Sequence, residues 1–324
     1  MHRLVVNDPH DLGLALHGEP YRKYRELLNN AFQKKCHGEF PIHIDFDTVD
    51  ACNLDCPVCA DRGRKRNGRK LNVAGACAII DEGAGKGLYA MNIGAIGEPF
   101  MHKEALFAMC EHAKSRGVLD IFVHTNFLLP NHEDIKRLVE SGCTVLCLSV
   151  DAASPEVYKK TRGGDFNKLM DNVKFLQAYK REHGLIAPVI RVAAVPCSLN
   201  HDELSTSFFS FWEGYADVIE IQNYYETLYQ PPGLNVSTKR IVADCNTAFW
   251  RLLFWPNSAA ACCCPLGTEP DLVLTREELG SFSVAELWQG EKIQNIRQHV
   301  RNCNWSALPS CNACLSTIYE WESK

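Results

Sequence analysis

The stretch FPIHIDFDTVDACNLDCPVCADRG, residues 40–63, runs from an alternating apolar and polar segment straight into three cysteines, Cys52, Cys56 and Cys59. The alternation up to about Thr48 has the two-residue period of a strand. The thiols, spaced three residues apart and then two, therefore lie on a loop at a strand's C-terminal end. In parallel α/β architectures the βα loops converge at that edge, and ligands and catalytic groups collect there.

Such a sheet is written into the rest of the chain. LYAMNIG, LDIFVHTN, TVLCLSVD, PVIRVAAVP and DVIEIQNY read as five further strands, separated by helical patterns at 72–86, 102–116, 131–141, 165–182 and 201–213. This alternation calls for a parallel sheet wound in one direction, either open and doubly wound or a partial barrel. It ends near residue 225. Beyond YQPPGLN, whose Pro pair and Gly make a linker, a cysteine-rich tail runs to Lys324.

The chain of 324 residues is 46% hydrophobic and 23% charged, enough for one large domain with a small appendage. A net charge of −5 and a pI near 6.2 give no basic footprint, which argues against nucleic acid as a partner. No apolar run reaches the roughly 20 residues of a membrane span, and the N-terminus has too short an apolar core for a signal peptide. A cytoplasmic location is expected. Sixteen cysteines in a long chain of regular elements suit metal ligation better than a disulfide scaffold. Cys36, Cys77, Cys110 and Cys143 read as small core residues.

Three thiolates without a fourth nearby do not complete a structural zinc site. An iron–sulfur cube held by three would leave one iron free for an exchangeable ligand. Chance clustering in a cysteine-rich chain is the alternative left open by the triplet itself.

The Cys-x-x-x-Cys-x-x-Cys spacing after a first strand resembles the radical SAM superfamily, and three further segments share the resemblance. GAIGEPFMH, with Gly97, Glu98 and Pro99 after the second strand, is similar to the family's segment that binds the methionyl amino group of S-adenosylmethionine. HTN, with Thr125 and Asn126, ends the third strand. LSVDAASPEVYKKTRGGDF places Ser149 and Asp151 at the end of the fourth and Arg162 in the helix and turn that follow; the resemblance implies ribose or carboxylate contacts for Ser149 and Arg162. Val58 stands where the family often has an aromatic residue, so its adenine contact would be aliphatic. The match spans about residues 40–225. It implies α/β architecture, a partial (βα)6 TIM-like barrel, with a [4Fe–4S] cluster on Cys52, Cys56 and Cys59 and S-adenosylmethionine as cofactors.

In the tail, Cys245, Cys263, Cys311 and Cys314 make a set of four. Their pattern is similar to the twitch domain, the shortened SPASM extension that holds an auxiliary [4Fe–4S] cluster. Structural zinc is the alternative, and Cys262, Cys264 or Cys303 could replace Cys263. The expected organisation is an N-terminal helical extension over 1–39, a barrel over 40–230 and the auxiliary-cluster domain over 236–324.

The resemblance implies a flavodoxin- or ferredoxin-type reductant and a 5′-deoxyadenosyl radical that takes hydrogen from a substrate C–H bond. With about forty residues before the first strand, there is little room for a peptide-recognition domain. That favours a small sugar-type substrate, such as an aminoglycoside of an antibiotic pathway, over a ribosomally made peptide. Epimerisation of a carbinol is expected ahead of its dehydrogenation, with Cys197, Cys262 and Cys264 as candidate hydrogen-atom donors. The basic run DRGRKRNGRK at 61–70 reads as a solvated loop, or as a grip for an anion. His43, His102 and His124 read as structural histidines near the site edge.

Overall fold

The computed structural model describes residues 2–35, 38–226, 231–241, 244–261 and 269–323. Cys36, Cys262, Cys263 and Cys264 lie outside these described residues. The strands are β1 (His2–Val5), β2 (His43–Phe46), β3 (Ala90–Ile93), β4 (Asp120–Thr125), β5 (Val145–Ser149) and β6 (Val189–Ala194). They continue with β7 (Val218–Ile221), β8 (Tyr224–Tyr225), β9 (Arg251–Trp255), β10 (Ser258–Ala260), β11 (Val273–Thr275) and β12 (Ile318–Tyr319). Strands β2 to β7 each lie inside the stretch that predicted them. The helices Val73–Gly83, Lys103–Ser115, His132–Glu140 and Phe166–Glu182 do the same, the 201–213 pattern divides into His201–Thr206 and Phe208–Trp212, and Pro155–Thr161 lies outside the five patterns.

Local chemistry fixes several of these starts. Asn131 and Asp134 form a reciprocal capping box, Asn131 accepting from the Asp134 N–H at 2.9 Å while its own N–H donates to the Asp134 carboxylate at 3.2 Å. Asp165 caps Phe166–Glu182 and Asn72 caps Val73–Gly83 through side-chain oxygens.

The sheet runs β1-β7-β6-β5-β4-β3-β2-β9-β10-β11, with β2 to β7 mutually parallel. Its two ends do not pair with each other, so the barrel is partial, as the α/β pattern implies. Two additions were not in the sequence reading. The N-terminal segment, expected to be helical, has the helices Pro9–His17 and Glu19–Phe32 and adds β1, antiparallel to β7. The tail supplies β9, parallel to β2, and the antiparallel β10 and β11, so it continues the barrel sheet.

The two faces of the sheet differ. Outward residues such as Ile44, Phe46, Ile93, Leu146, Leu148 and Ile219 are fully buried beneath the helices in the main core. Inward, Val145, Cys147, Val189 and Val218 form a small apolar cluster that Leu12 of the N-terminal helix packs against. Further along the same strands the inward Ser149, Arg191 and Glu220 are polar, and they lead up to the C-terminal edge of the sheet.

Candidate active site

The cysteine loop is pinned at its neck. Asp50 N–H donates to Arg69 O at 2.8 Å, Gly68 N–H to Asp50 O at 3.0 Å and Leu71 N–H to Thr48 O at 2.9 Å, which doubles residues 50–68 back over the end of β2. Cys52, Cys56 and Cys59 are all free thiols and line one cavity of about 580 Å³ at the sheet's C-terminal edge. Burial pushes the Cys56 and Cys59 thiols up.

The donor set is soft thiols alone, the type that iron–sulfur clusters take. Among the described residues no three His, Cys, Asp or Glu side chains are gathered for a single metal ion. A cube spreads its irons, so it asks for thiols set further apart. The residues present fit such a group.

Asp47, at the end of β2, organises the neighbouring loop. Its Oδ1 accepts from the N–H groups of Ile96 and Gly97, each at 3.0 Å, and burial pushes its carboxyl up to about 6. Gly97 is required there, because a Cβ would stand 2.1 Å from Val49 O. Glu98 N–H donates to Ala51 O at 2.9 Å, tying this loop to the cysteine loop. The Glu98 carboxylate accepts from Thr125 Oγ1 at 2.6 Å, Asn126 N–H at 2.8 Å and Phe100 N–H at 3.2 Å. Asn126 Nδ2 in turn donates to Asn53 Oδ1 at 2.8 Å.

Arg162 reaches the site from the next βα connection. Its Nε lies 2.6 Å from Asp151 Oδ2 and its Nη1 lies 3.9 Å from Cys56 Sγ. Asp151 adopts φ +64, a conformation that Asp tolerates better than most side chains, and its Oδ1 accepts from Val195 N–H at 2.7 Å. The backbone bend and the two contacts hold a buried anion behind Arg162.

Gly97, Glu98, Thr125, Asn126, Ser149 and Arg162 all line the cavity that holds the three thiols, as does Val58. Pro99 and Asp151 lie behind that wall. Cys197 is fully buried in an apolar cluster with Val58, Tyr224 and Leu234, and Val195 rather than Cys197 lines the cavity. In the tail, Cys245, Cys311 and Cys314 are half-buried and Cys303 is exposed. Cys262, Cys263 and Cys264 fall outside the described residues.

Beneath the cavity, the concave face carries paired charges. Asp45 lies 3.1 Å from His43 Nε2 and 3.3 Å from Arg251 Nε; burial opposes its charge, but Arg251 and His43 outweigh that and hold it at about 2. Arg191 pairs with Glu220, to which Gln222 Nε2 also donates at 3.2 Å. His124 lines the cavity, and burial, with Arg191 and Arg251 nearby, pushes it down to about 4, so it is a neutral imidazole. Sequence reasoning missed Asp47, Gln222 and Tyr225 as site residues. The alternation of His43, Asp45 and Asp47 on one strand face was the available signal. Arg64 and Arg66, from the run read as a solvated loop or as a grip for an anion, line this cavity, held by Asp50 and Asp61.

Residues 47–192 match the family model described as the Radical SAM superfamily. An uncharacterized protein of Methanocaldococcus jannaschii is 27% identical over 208 residues, 62% of this chain and 66% of that protein. Mycofactocin maturase MftC of Mycobacterium ulcerans is 31% identical over 128 residues, 39% of this chain and 34% of the relative. The aligned regions thus span two thirds or less of either relative. Among solved structures, Streptococcus suis SuiB bound to S-adenosylmethionine superposes with a TM-score of 0.63 at 15% identity, covering 86% of this chain and 72% of SuiB. BtrN in complex with AdoMet and 2-DOIA gives 0.56 at 11% identity, covering 87% and 94%. At these identities the likeness is one of fold.

Proposed function

We propose that the chain is a radical SAM enzyme in which Cys52, Cys56 and Cys59 hold a [4Fe–4S] cluster and S-adenosylmethionine lies against Val58, Gly97, Glu98, Thr125, Asn126, Ser149 and Arg162. The observation that carries this is the meeting of all these residues, from four separate loops, on one cavity at the C-terminal edge of a parallel sheet. When bound, the cluster and S-adenosylmethionine supply a 5′-deoxyadenosyl radical able to take hydrogen from a substrate C–H bond. The protein's share is placement. Glu98 offers a carboxylate to an ammonium group, Arg162 a guanidinium to an anion, and the packed sheet and loops exclude water.

The substrate would enter beneath the cofactors, where Ser149, His124 and Gln222 present hydrogen-bonding groups above the two ion pairs. Such a floor suits a small polyhydroxylated molecule, and the BtrN complex shows this fold holding AdoMet beside a small ligand. A peptide is the second reading, favoured by the structure of SuiB bound to the precursor peptide SuiA. Cys245, Cys263, Cys311 and Cys314 are proposed to hold an auxiliary [4Fe–4S] cluster. Anaerobic reconstitution should then give about eight irons per chain rather than four, with Cys311→Ala falling to about half.

For the outcome we favour epimerisation of a carbinol. Burial pushes the Cys197 thiol up to about 11, so it stays protonated, as a hydrogen-atom donor must. It stands behind Val58 and Val195, so donation requires those side chains to move aside. Product formed in D2O tests this: one deuterium kept at the inverted carbon supports a thiol donor, and its loss in Cys197→Ala assigns the residue. A product two mass units lighter than substrate means dehydrogenation.

A further inference from the structure

We infer that Arg66 sets the reduction potential of the cluster proposed on Cys52, Cys56 and Cys59, an inference that rests on that functional reading. The Arg66 Nη2 lies 3.9 Å from Cys59 Sγ, and Cys52 is near enough to the same guanidinium to favour its charge. Arg162 faces the third thiol, Cys56. Every thiol of the triplet therefore meets a guanidinium. Arg162 belongs to the segment whose resemblance already gives it a role, whereas Arg66 belongs to the basic run that no motif explains.

The placement of Arg66 is built rather than incidental. Its Nε holds Asp61 Oδ2 at 3.2 Å, and Asp61 is 7% exposed. Arg64 takes the rest of that carboxylate at 2.6 and 3.0 Å and also binds Asp50, while its guanidinium lies 5.0 Å over Trp255. Arg64 thus ties Asp50 and Asp61 together, and Arg66, with one bond to Asp61, keeps its remaining N–H groups for sulfur. Gly63, at φ +79, gives the loop its turn back toward the thiols.

Reduction adds one electron to the cluster and neither makes nor breaks a bond to the protein. The donor is a low-potential one-electron carrier of the flavodoxin or ferredoxin class. A cation beside two of the thiolates, in a partly desolvated loop, favours the more negative state. Net charge and hydrogen bonds to sulfur are established determinants of cluster potential. Arg66 therefore makes the cluster easier to reduce.

The test is an EPR-monitored redox titration of the anaerobically reconstituted full chain, with dithionite as the reductant. Arg66→Gln should keep wild-type iron and move the midpoint negative by a tenfold change in the one-electron equilibrium, about 59 mV. Arg66→Lys, which keeps the charge, should recover part of that shift. An unchanged midpoint in Arg66→Gln with iron intact overturns the inference, and so does Arg66→Lys falling as far as Arg66→Gln. If Arg66→Gln fails to hold iron, Asp61→Asn decides: removing the counter-charge should move the midpoint positive, and no movement overturns the inference. Wild-type protein that takes up no iron defeats the functional reading instead.

Discussion

Burial pushes the Glu98 carboxyl up to about 7, although three hydrogen bonds and Arg162 all favour its charged form. Desolvation wins because the carboxyl is buried, with little water able to reach it. Its ordinary value is 4.5, so in the folded chain its contribution to stability is complete below about 4.5 and is lost as the pH rises through 7. The loss amounts to roughly 3 kcal/mol. Asp47, raised to about 6, acts in the same direction. The urea midpoint of the cofactor-free chain should therefore fall between pH 5 and pH 8. Glu98→Gln should flatten that fall, and an unchanged slope in the variant would remove Glu98 from the account. An ammonium group beside the carboxylate would favour its charged form, so added S-adenosylmethionine should flatten it as well. Asp151 is the buried partner that holds Arg162. Asp151→Asn leaves a buried guanidinium without its partner and should cost about 3 kcal/mol in denaturant titration. A cost below about 0.5 kcal/mol, ordinary for a surface site, would mean that Arg162 is held by something else.

At the level of elements, β9 is what keeps β2 from being an edge. Leu252, Leu253 and Phe254 are fully buried on it, and Phe254 packs on Phe46 with ring centroids 5.3 Å apart. A chain ending at residue 235 exposes the β2 backbone and its core face, so it should aggregate. Full-length Cys311→Ala should remain soluble, since that residue lies outside the sheet. A truncated chain that stays monomeric with a cooperative transition would contradict this. Strands β2 to β7 were legible because each is a short, largely apolar run bounded by turn residues, and all but β7 lead into a helix. Strand β9 was not, because RLLFW gains its strand conformation from pairing with β2, far away in sequence. The same difference divides the site. Residues such as Glu98, Asn126 and Ser149 were readable because each stands just past or at a strand end. The place of Arg66 depends on how Arg64 ties Asp50 to Asp61, and no local pattern encodes those pairings.

Across the whole molecule, the N-terminal segment fills the base of the sheet's inner face, while the parallel strands and the tail build the mouth at its C-terminal edge. The N-terminal helix packs Leu12 against the inner apolar cluster, the parallel strands deliver their loops to the C-terminal edge, and the tail returns through β12 to pair with β8, whose Tyr225 lines the cavity. His201 Nε2 lies 2.8 Å from Glu322 O, a further contact between the barrel and the end of the described chain. The account stands or falls on the chemistry of that mouth. The most direct measurement is 5′-deoxyadenosine formed from S-adenosylmethionine by the anaerobically reconstituted, dithionite-reduced chain, followed by chromatography beside Cys56→Ala. The account predicts steady formation by the wild type and none above the reagent blank for the variant; a wild type that holds iron, binds S-adenosylmethionine and releases no 5′-deoxyadenosine would contradict it.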